Sequence, residues 1–124
     1  MTRCALALMA ALAIALPAHA QRVFERDALR GELVVTAPPL ALLNGKPARL
    51  APGARIRNAQ NLLQLTGSIL EQKLLVHYTV DGFGQLQNVW ILTEAEAAKR
   101  PWPTTVEEAT RWSFDPTRQV WVKP

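Results

Sequence analysis

The chain has 124 residues, of which 14 are lysine or arginine and 10 are aspartate or glutamate, so its net charge at neutral pH is +4. This length accommodates one domain of ordinary size and excludes a multidomain enzyme. The single cysteine excludes an intramolecular disulfide, so we expect the fold to depend on its apolar core alone.

The first twenty residues are predicted to be a secretory signal peptide. The positively charged Arg3 precedes a continuous small and apolar run, and this run ends in the tripeptide A-H-A. Small side chains at these positions are what signal peptidase requires, which places the cleavage between Ala20 and Gln21. The apolar run is too short for an anchor, because a bilayer core of about 30 Å needs roughly 20 residues. We therefore expect a periplasmic or secreted protein with no membrane span after cleavage.

Residues 21–124 are expected to form a single domain without cysteine. Removal of Arg3 leaves 13 basic side chains against 10 acidic ones, a net charge of +3. The charge-dense residues 21–31 are expected to form a short helix or a frayed end. Residues 32–36 are rich in β-branched side chains and precede two prolines, which predicts a short strand.

A β-hairpin is predicted around Asn44-Gly45. This dipeptide accepts the positive φ angles of a tight two-residue turn, and it joins the apolar residues 40–43 to residues 46–50. Because proline cannot donate a ladder hydrogen bond, Pro47 predicts an edge strand or a bulge on the returning strand. Pro52-Gly53 predicts a further turn.

A second hairpin is the clearest element of the sequence. Two apolar segments, residues 73–80 and 85–92, flank a glycine-containing reversal at residues 81–84. Pairing of Val80 with Gln85 is predicted, and the alternation of side chains then sorts the two faces of the hairpin. The likelier core face consists of Leu74, Val76, Tyr78, Val80, Val89 and Ile91.

Two short helices are predicted near the C-terminus, each opened by a capping box in which a threonine and a glutamate bond each other's backbone. The first box joins Thr93 and Glu96, and the second joins Thr104 and Glu107. A last strand is predicted at residues 119–122. The predicted fold class is therefore α+β, a mostly antiparallel sheet of five to seven short strands with two C-terminal helices. A small β-barrel is the alternative.

No grouping of residues predicts catalysis. His77 is the single histidine after the signal peptide, and no cysteine or carboxylate is expected beside it, whereas a general base or a metal site needs such partners. We expect His77 to be a hydrogen-bonded structural histidine facing Asn88. The sequence predicts no enzyme, no cofactor and no metal site.

A basic cluster is the best candidate for a binding site. Lys46, Arg49, Arg55 and Arg57 lie within twelve residues that contain no acid. Arg55 and Arg57 are two residues apart on a predicted strand, so both face the same way and can hold a phosphate or carboxylate. The alternative is a solvated edge that blocks aggregation between strands. Nucleic acid is not expected as a partner in an exported location.

Tryptophans are concentrated at the C-terminus. Trp112 and Phe114 are expected in the core, covering the open face of the sheet. Trp102, which lies between two prolines, is predicted to be exposed and to contribute to binding.

Two resemblances extend this prediction. The segments P-G-A-R-I-R at 52–57, V-W-I-L-T at 89–93 and W-S-F-D-P at 112–116 resemble small uncharacterised exported proteins of proteobacteria, which bring no assigned activity. The stretch 78–84, together with the two later segments, shows a fainter similarity to the C-terminal domain of TonB-type energy transducers. That resemblance implies an α+β domain that binds peptides by strand addition at a sheet edge. The anchor and the proline-rich spacer of those proteins are not expected here, so no energy-transducing role is carried over.

These observations predict an exported, non-catalytic adaptor or binding domain of the bacterial envelope. The expected partner is an envelope protein or an anionic cell-wall or lipid component. The alternative is a module that binds a glycan or a small anionic ligand through Trp102 and the arginines.

Overall fold

The computed structural model describes residues 22–124. The predicted signal peptide and its cleavage site at Ala20 and Gln21 lie outside these residues. In this part of the chain the elements are, in order, β1 (Leu29–Val35), β2 (Leu40–Leu43), β3 (Lys46–Arg57), a 3-10 turn (Thr66–Ser68), β4 (Leu74–Val80), β5 (Leu86–Ile91), α1 (Glu94–Ala97), α2 (Val106–Arg111), β6 (Ser113–Asp115) and β7 (Val120–Val122).

Strands β1 to β5 close into a barrel. Their order is β1-β2-β3-β5-β4, and β4 returns to pair with β1. All neighbouring strands are antiparallel except β3 and β5, which are parallel. This is the topology of the OB-fold, a five-stranded Greek-key barrel. Closure gives each strand an inner face, which lines the barrel interior, and an outer face.

The predicted α+β class is wrong. Strands make up 43% of the structure and helices only 13%, and the sheet is closed rather than open, so the barrel alternative fits better. The error arose because closure depends on pairings between distant segments. Glu32 pairs with Leu75, and Ile56 pairs with Val89, so neither contact has a local sequence pattern.

The first predicted hairpin is confirmed. Asn44 has φ 54° and Gly45 has φ 78°, the left-handed pair of a tight turn, and Leu43 faces Lys46 across it. Pro47 faces Leu42 in a pair that exchanges no hydrogen bonds, because such pairs alternate with bonded ones. Since β5 joins β3 only from Leu50 onward, Pro47 lies where β3 has a single neighbour, as its missing donor requires.

Strand β3 is longer than predicted. The turn expected at Pro52-Gly53 is wrong, because the strand continues through these residues as a bulge. Between Leu50 and Arg55 the pairing with β5 shifts, so four residues of β3 lie opposite one residue of β5. A bulge bends a strand. Here it lets β3 pass from its partner β2 to its partner β5.

The second predicted hairpin is confirmed, with a different register. His77 faces Trp90, not Asn88, and a bulge separates the Thr79 pair from the Val80 pair. From Val76 to Thr79 the register differs from the predicted one by two residues, so these side chains keep their predicted faces. Beyond the bulge the predicted faces are wrong, because Leu86 points into the inner core and Val80 is exposed. Five of the six predicted core-face residues contribute to the barrel interior as buried or packed side chains, namely Leu74, Val76, Tyr78, Val89 and Ile91, whereas Val80 is exposed.

Two apolar clusters stabilise the molecule. The inner core fills the barrel and consists of Leu29, Leu33, Val35, Ala41, Leu50, Ile56, Ile69, Val76, Tyr78, Leu86 and Val89. The aromatic layer lies outside the barrel and consists of Phe24, Ala28, Trp102, Trp112 and Trp121, with Trp90, Leu92, Ala109 and Phe114 packed against it. Trp112 and Phe114 were predicted to be core residues and belong to this layer.

The segments flanking the barrel build the aromatic layer. Residues 22–28 form no helix, contrary to one prediction, and they are not frayed, because Phe24 and Ala28 are buried. The capping box of Thr93 and Glu96 on α1 is confirmed. The capping box predicted at Thr104 and Glu107 is wrong, because the N-cap of α2 is Thr105, whose side chain accepts from the Glu108 amide. Strands β6 and β7 then pair as a separate hairpin.

Candidate binding surface

The outer side of β2 and β3 carries exposed leucines and arginines. Ala41, Leu50 and Ile56 point into the inner core. Because side chains alternate along a strand, their neighbours point outward. We call this surface the basic face, and its side chains are those of Leu40, Leu42, Pro47, Arg49, Arg55 and Arg57.

The basic face contains three of the four cations predicted as a site. Arg55 and Arg57 flank the buried Ile56 and share one side of the strand, as predicted. Arg49 lies on the same side before the bulge, and Lys46 is exposed at the hairpin end of β3. Within residues 22–124, none of these four side chains forms an ion pair. The structure thus leaves their charges open to solvent.

Charge is divided unevenly along the chain. Residues 33–70 contain four basic side chains and no acid. The rest of the predicted mature chain contains nine basic and ten acidic side chains, a net charge of −1. The whole positive excess of the domain therefore belongs to β2, β3 and the connection that follows them.

The connection after β3 presents apolar side chains to solvent. We call residues 58–65 the leucine loop. Leu62, Leu63 and Leu65 are 63%, 68% and 80% exposed. This loop was not predicted from the sequence to be part of a site. The acid-free run of residues 33–70 was the signal that could have revealed it.

Hydrogen bonds fix the leucine loop against β3. The Asn58 amide donates to the Leu62 carbonyl at 2.8 Å, and the Gln64 amide donates to the Ile56 carbonyl at 2.7 Å. The Asn58 side-chain oxygen accepts from the amides of Gln60 and Leu62, both at 3.0 Å. The loop is therefore ordered by its backbone while its leucines remain outside.

The outer side of β1 and β4 contains a buried polar network. Arg30 on β1 donates from Nε to His77 Nε2 at 3.2 Å and from Nη1 to the Lys99 carbonyl at 2.9 Å. It also donates to the carbonyls of Glu96 and Ala97. The guanidinium thus connects the barrel to the end of α1. These partners are 47 to 69 residues away in sequence, so no local pattern predicts them.

His77 is neutral in this network. It is 1% exposed, and its ring stacks on Trp102 with 4.0 Å between centroids. Burial and the charges of Arg30 and Arg22 lower the pKa of His77 to about 3. Since Nε2 accepts from Arg30, the proton of the neutral ring is on Nδ1, which has no partner among the described residues. The prediction of a hydrogen-bonded structural histidine is confirmed, although it lies opposite Trp90.

Trp102 does not lie on the basic face, and the prediction that it is exposed is wrong. It is 5% exposed and donates from Nε1 to the Ala28 carbonyl at 2.9 Å. Its two flanking prolines hold it inward, where it contacts Phe24, Phe114 and Trp121. It contributes packing to the aromatic layer.

A cleft of about 1030 Å³ opens beside this network. Its lining includes His77, Trp102, Lys99 and Gln119. Arg22 spans one wall, donating to the Glu96 carboxylate and to the carbonyls of Asn58 and Ile91. Burial alone would raise the pKa of Glu96, but the hydrogen bonds from Arg22 and from the Thr93 backbone lower it overall. This wall is therefore charged at neutral pH.

Residues 22–124 contain no group of three histidine, cysteine, aspartate or glutamate side chains that could hold a metal ion. No helix among them is both long and apolar enough to cross a membrane.

Comparison with family models, with curated proteins and with solved structures found no match to this chain. The two resemblances stated from the sequence therefore stay predictions.

Proposed function

We propose that this protein is an exported, non-catalytic binding domain of the bacterial envelope and that the basic face holds an anionic partner. The observation that supports this most is the division of charge. Four cations and no acid occupy residues 33–70, and the arginines of the basic face have no ion-pair partner within residues 22–124.

The two outer sides of the barrel support the same proposal. The side formed by β1, β4 and β5 is covered by the aromatic layer, whereas the basic face has no such cover from the described residues. Arginines that are exposed and not paired can form bidentate hydrogen bonds with carboxylate or phosphate groups. Exposed leucines among them add apolar contact.

The barrel topology favours the same location. In OB-folds the surface of strands 2 and 3 and the adjoining loops bind oligonucleotides and oligosaccharides. Topology alone assigns no function, so this likeness supports only the place of binding. The export prediction makes an envelope protein or an anionic cell-wall or lipid component the expected partner.

A pull-down from detergent-solubilised envelope tests the proposal. Wild-type protein is compared with Arg49→Glu/Arg55→Glu and with a matched control, Arg111→Glu/Arg118→Glu, whose arginines are exposed outside residues 33–70. The first variant is expected to lose the partner and the control to keep it, and rising salt is expected to release the partner. Equal retention by both variants would contradict the proposal.

A small-ligand module is the second candidate, favoured by the cleft beside His77. The buried Nδ1 proton has no acceptor among the described residues, and buried donors normally have one. A soluble cell-wall fragment that bound there would raise Tm, because a ligand of the native state stabilises it. His77→Gln would reduce that rise, whereas Arg49→Glu/Arg55→Glu would not.

A further inference from the structure

We propose that the leucine loop and the arginines beside it dock this protein onto the surface of an anionic lipid bilayer. This inference rests on the proposed function, because it names the partner of the basic face. It requires more than the proposed function does, because the leucines as well as the arginines must contact the partner.

The leucine loop is built to expose apolar surface. Leu62, Leu63 and Leu65 are adjacent, and all three are more than 60% exposed. A disordered loop could fold its leucines away, but the hydrogen bonds of Asn58 and Gln64 hold this backbone in place. Contiguous exposed apolar side chains on a small protein indicate an interaction site.

The backbone places these leucines next to cations. Leu63 forms an antiparallel bridge with Arg57, so both side chains lie on the same side of the local sheet. Arg55 lies on that side too, two residues before Arg57. Leu63 and the two arginines therefore share one side, and the segment that carries them has no acid between residues 33 and 70.

This combination fits a bilayer better than a soluble polymer. An anionic polysaccharide would neutralise the arginines and leave the leucines in water. At an anionic bilayer, apolar side chains enter the boundary of the acyl chains while arginines meet the headgroups. The net charge of −1 on the rest of the mature chain turns the positive surface toward the lipid.

Sedimentation with vesicles tests the inference. The chain from Gln21 contains every described strand and both apolar clusters, so it is the form to use. It is mixed with vesicles of equal parts phosphatidylglycerol and phosphatidylcholine, or of phosphatidylcholine alone. We expect binding to the anionic vesicles only. Leu62→Ser/Leu63→Ser/Leu65→Ser is expected to weaken binding at least about tenfold, and Arg55→Gln/Arg57→Gln about tenfold or more.

Two controls match these variants. Phe83→Ser removes the most exposed aromatic side chain, which lies in the β4–β5 turn outside residues 33–70, and Arg111→Gln/Arg118→Gln removes two charges elsewhere. Both are expected to bind vesicles like the wild type. Because the substituted side chains are exposed, or half-buried in the case of Arg57, all variants are expected to keep a Tm close to that of the wild type, which is measured for each.

The outcomes separate this inference from the proposed function. If the leucine variant binds like the wild type while the arginine variant does not, the basic face binds anions but the lipid inference is wrong. If the wild type does not bind anionic vesicles, the lipid inference is wrong, and the envelope pull-down still decides the proposed function. If both controls weaken binding as much as the test variants, binding is unspecific and the inference is wrong.

Discussion

The two outer sides of the barrel are built in opposite ways. On β1, β4 and β5, outward polar side chains such as Arg30 and His77 are buried beneath tryptophans and phenylalanine. On β2 and β3, outward leucines and arginines stay in water. Burial on the first side serves stability. Exposure on the second side stabilises nothing within the described fold. This is therefore the side on which we propose binding.

Loss of the central tryptophan is expected to have the largest effect on stability. Trp102→Ala would remove contacts to four aromatic rings and the hydrogen bond to Ala28. We expect the free energy of unfolding in urea to fall by about 4 kcal/mol. On the uncovered side, Leu42→Ala is expected to cost less than about 1 kcal/mol. Similar losses of unfolding free energy for Trp102→Ala and Leu42→Ala would contradict the contrast between the covered and the uncovered side.

Replacement of Arg30 is expected to have the second-largest effect on stability. Arg30→Met would leave the carbonyls at the end of α1 and His77 Nε2 without their donor. Unpaired buried polar groups are costly, so we expect a loss of about 3 kcal/mol in urea unfolding. Arg55→Met, an exposed arginine of the other side, is expected to change stability by less than about 0.5 kcal/mol. An Arg30 variant as stable as the wild type would show that the network is dispensable.

The pH dependence of stability tests the state of His77. Its pKa is about 3 in the folded protein and 6.5 in the unfolded chain, so only the unfolded state takes up the proton as pH falls below 6.5. Stability is therefore full above pH 6.5 and falls below it, by about 2 kcal/mol between pH 6.5 and pH 5.

His77→Gln should remove this slope, because residues 21–124 contain no other histidine. The measurement is Tm of both proteins across that pH window. A wild-type Tm that does not change between pH 7 and pH 5 would mean that His77 is solvated.

The helix cap of α2 gives the smallest expected effect. Thr105→Ala removes the acceptor for the Glu108 amide and is expected to cost about 1 kcal/mol. Thr104, predicted from the sequence as the cap, only donates its hydroxyl to the Glu108 carboxylate. Thr104→Ala should therefore cost less than Thr105→Ala in thermal unfolding, and the reverse order would restore the predicted box.

Local chemistry explains which parts were predictable. The Asn44-Gly45 turn, the Thr93 cap and the alternation of side chains from Val76 to Thr79 depend on neighbouring residues, and all three agree with the structure. The alternation fails at Val80 and Leu86, where a bulge shifts the register. Barrel closure and the parallel β3–β5 pair depend on residues far apart, and the sequence prediction of an open sheet failed there.

The candidate site also combines features that depend on neighbouring residues with features that depend on residues far apart in sequence. Arg55 and Arg57 were placed on one face because alternation along a strand is local. The burial of Trp102 could not be predicted, since its partners Phe24 and His77 come from segments distant in sequence. The leucine loop was overlooked because its exposure follows from the packing of β3 rather than from any periodicity.

Site-specific photo-cross-linking in the envelope of a living cell tests the central claim most directly. A photoreactive residue replaces Leu42 on the basic face or, as the matched control, the exposed Val106 on α2. The account predicts an adduct from position 42, with lipid or protein, and none from position 106. An adduct from position 106 alone would contradict it and place the partner on the side of the aromatic layer.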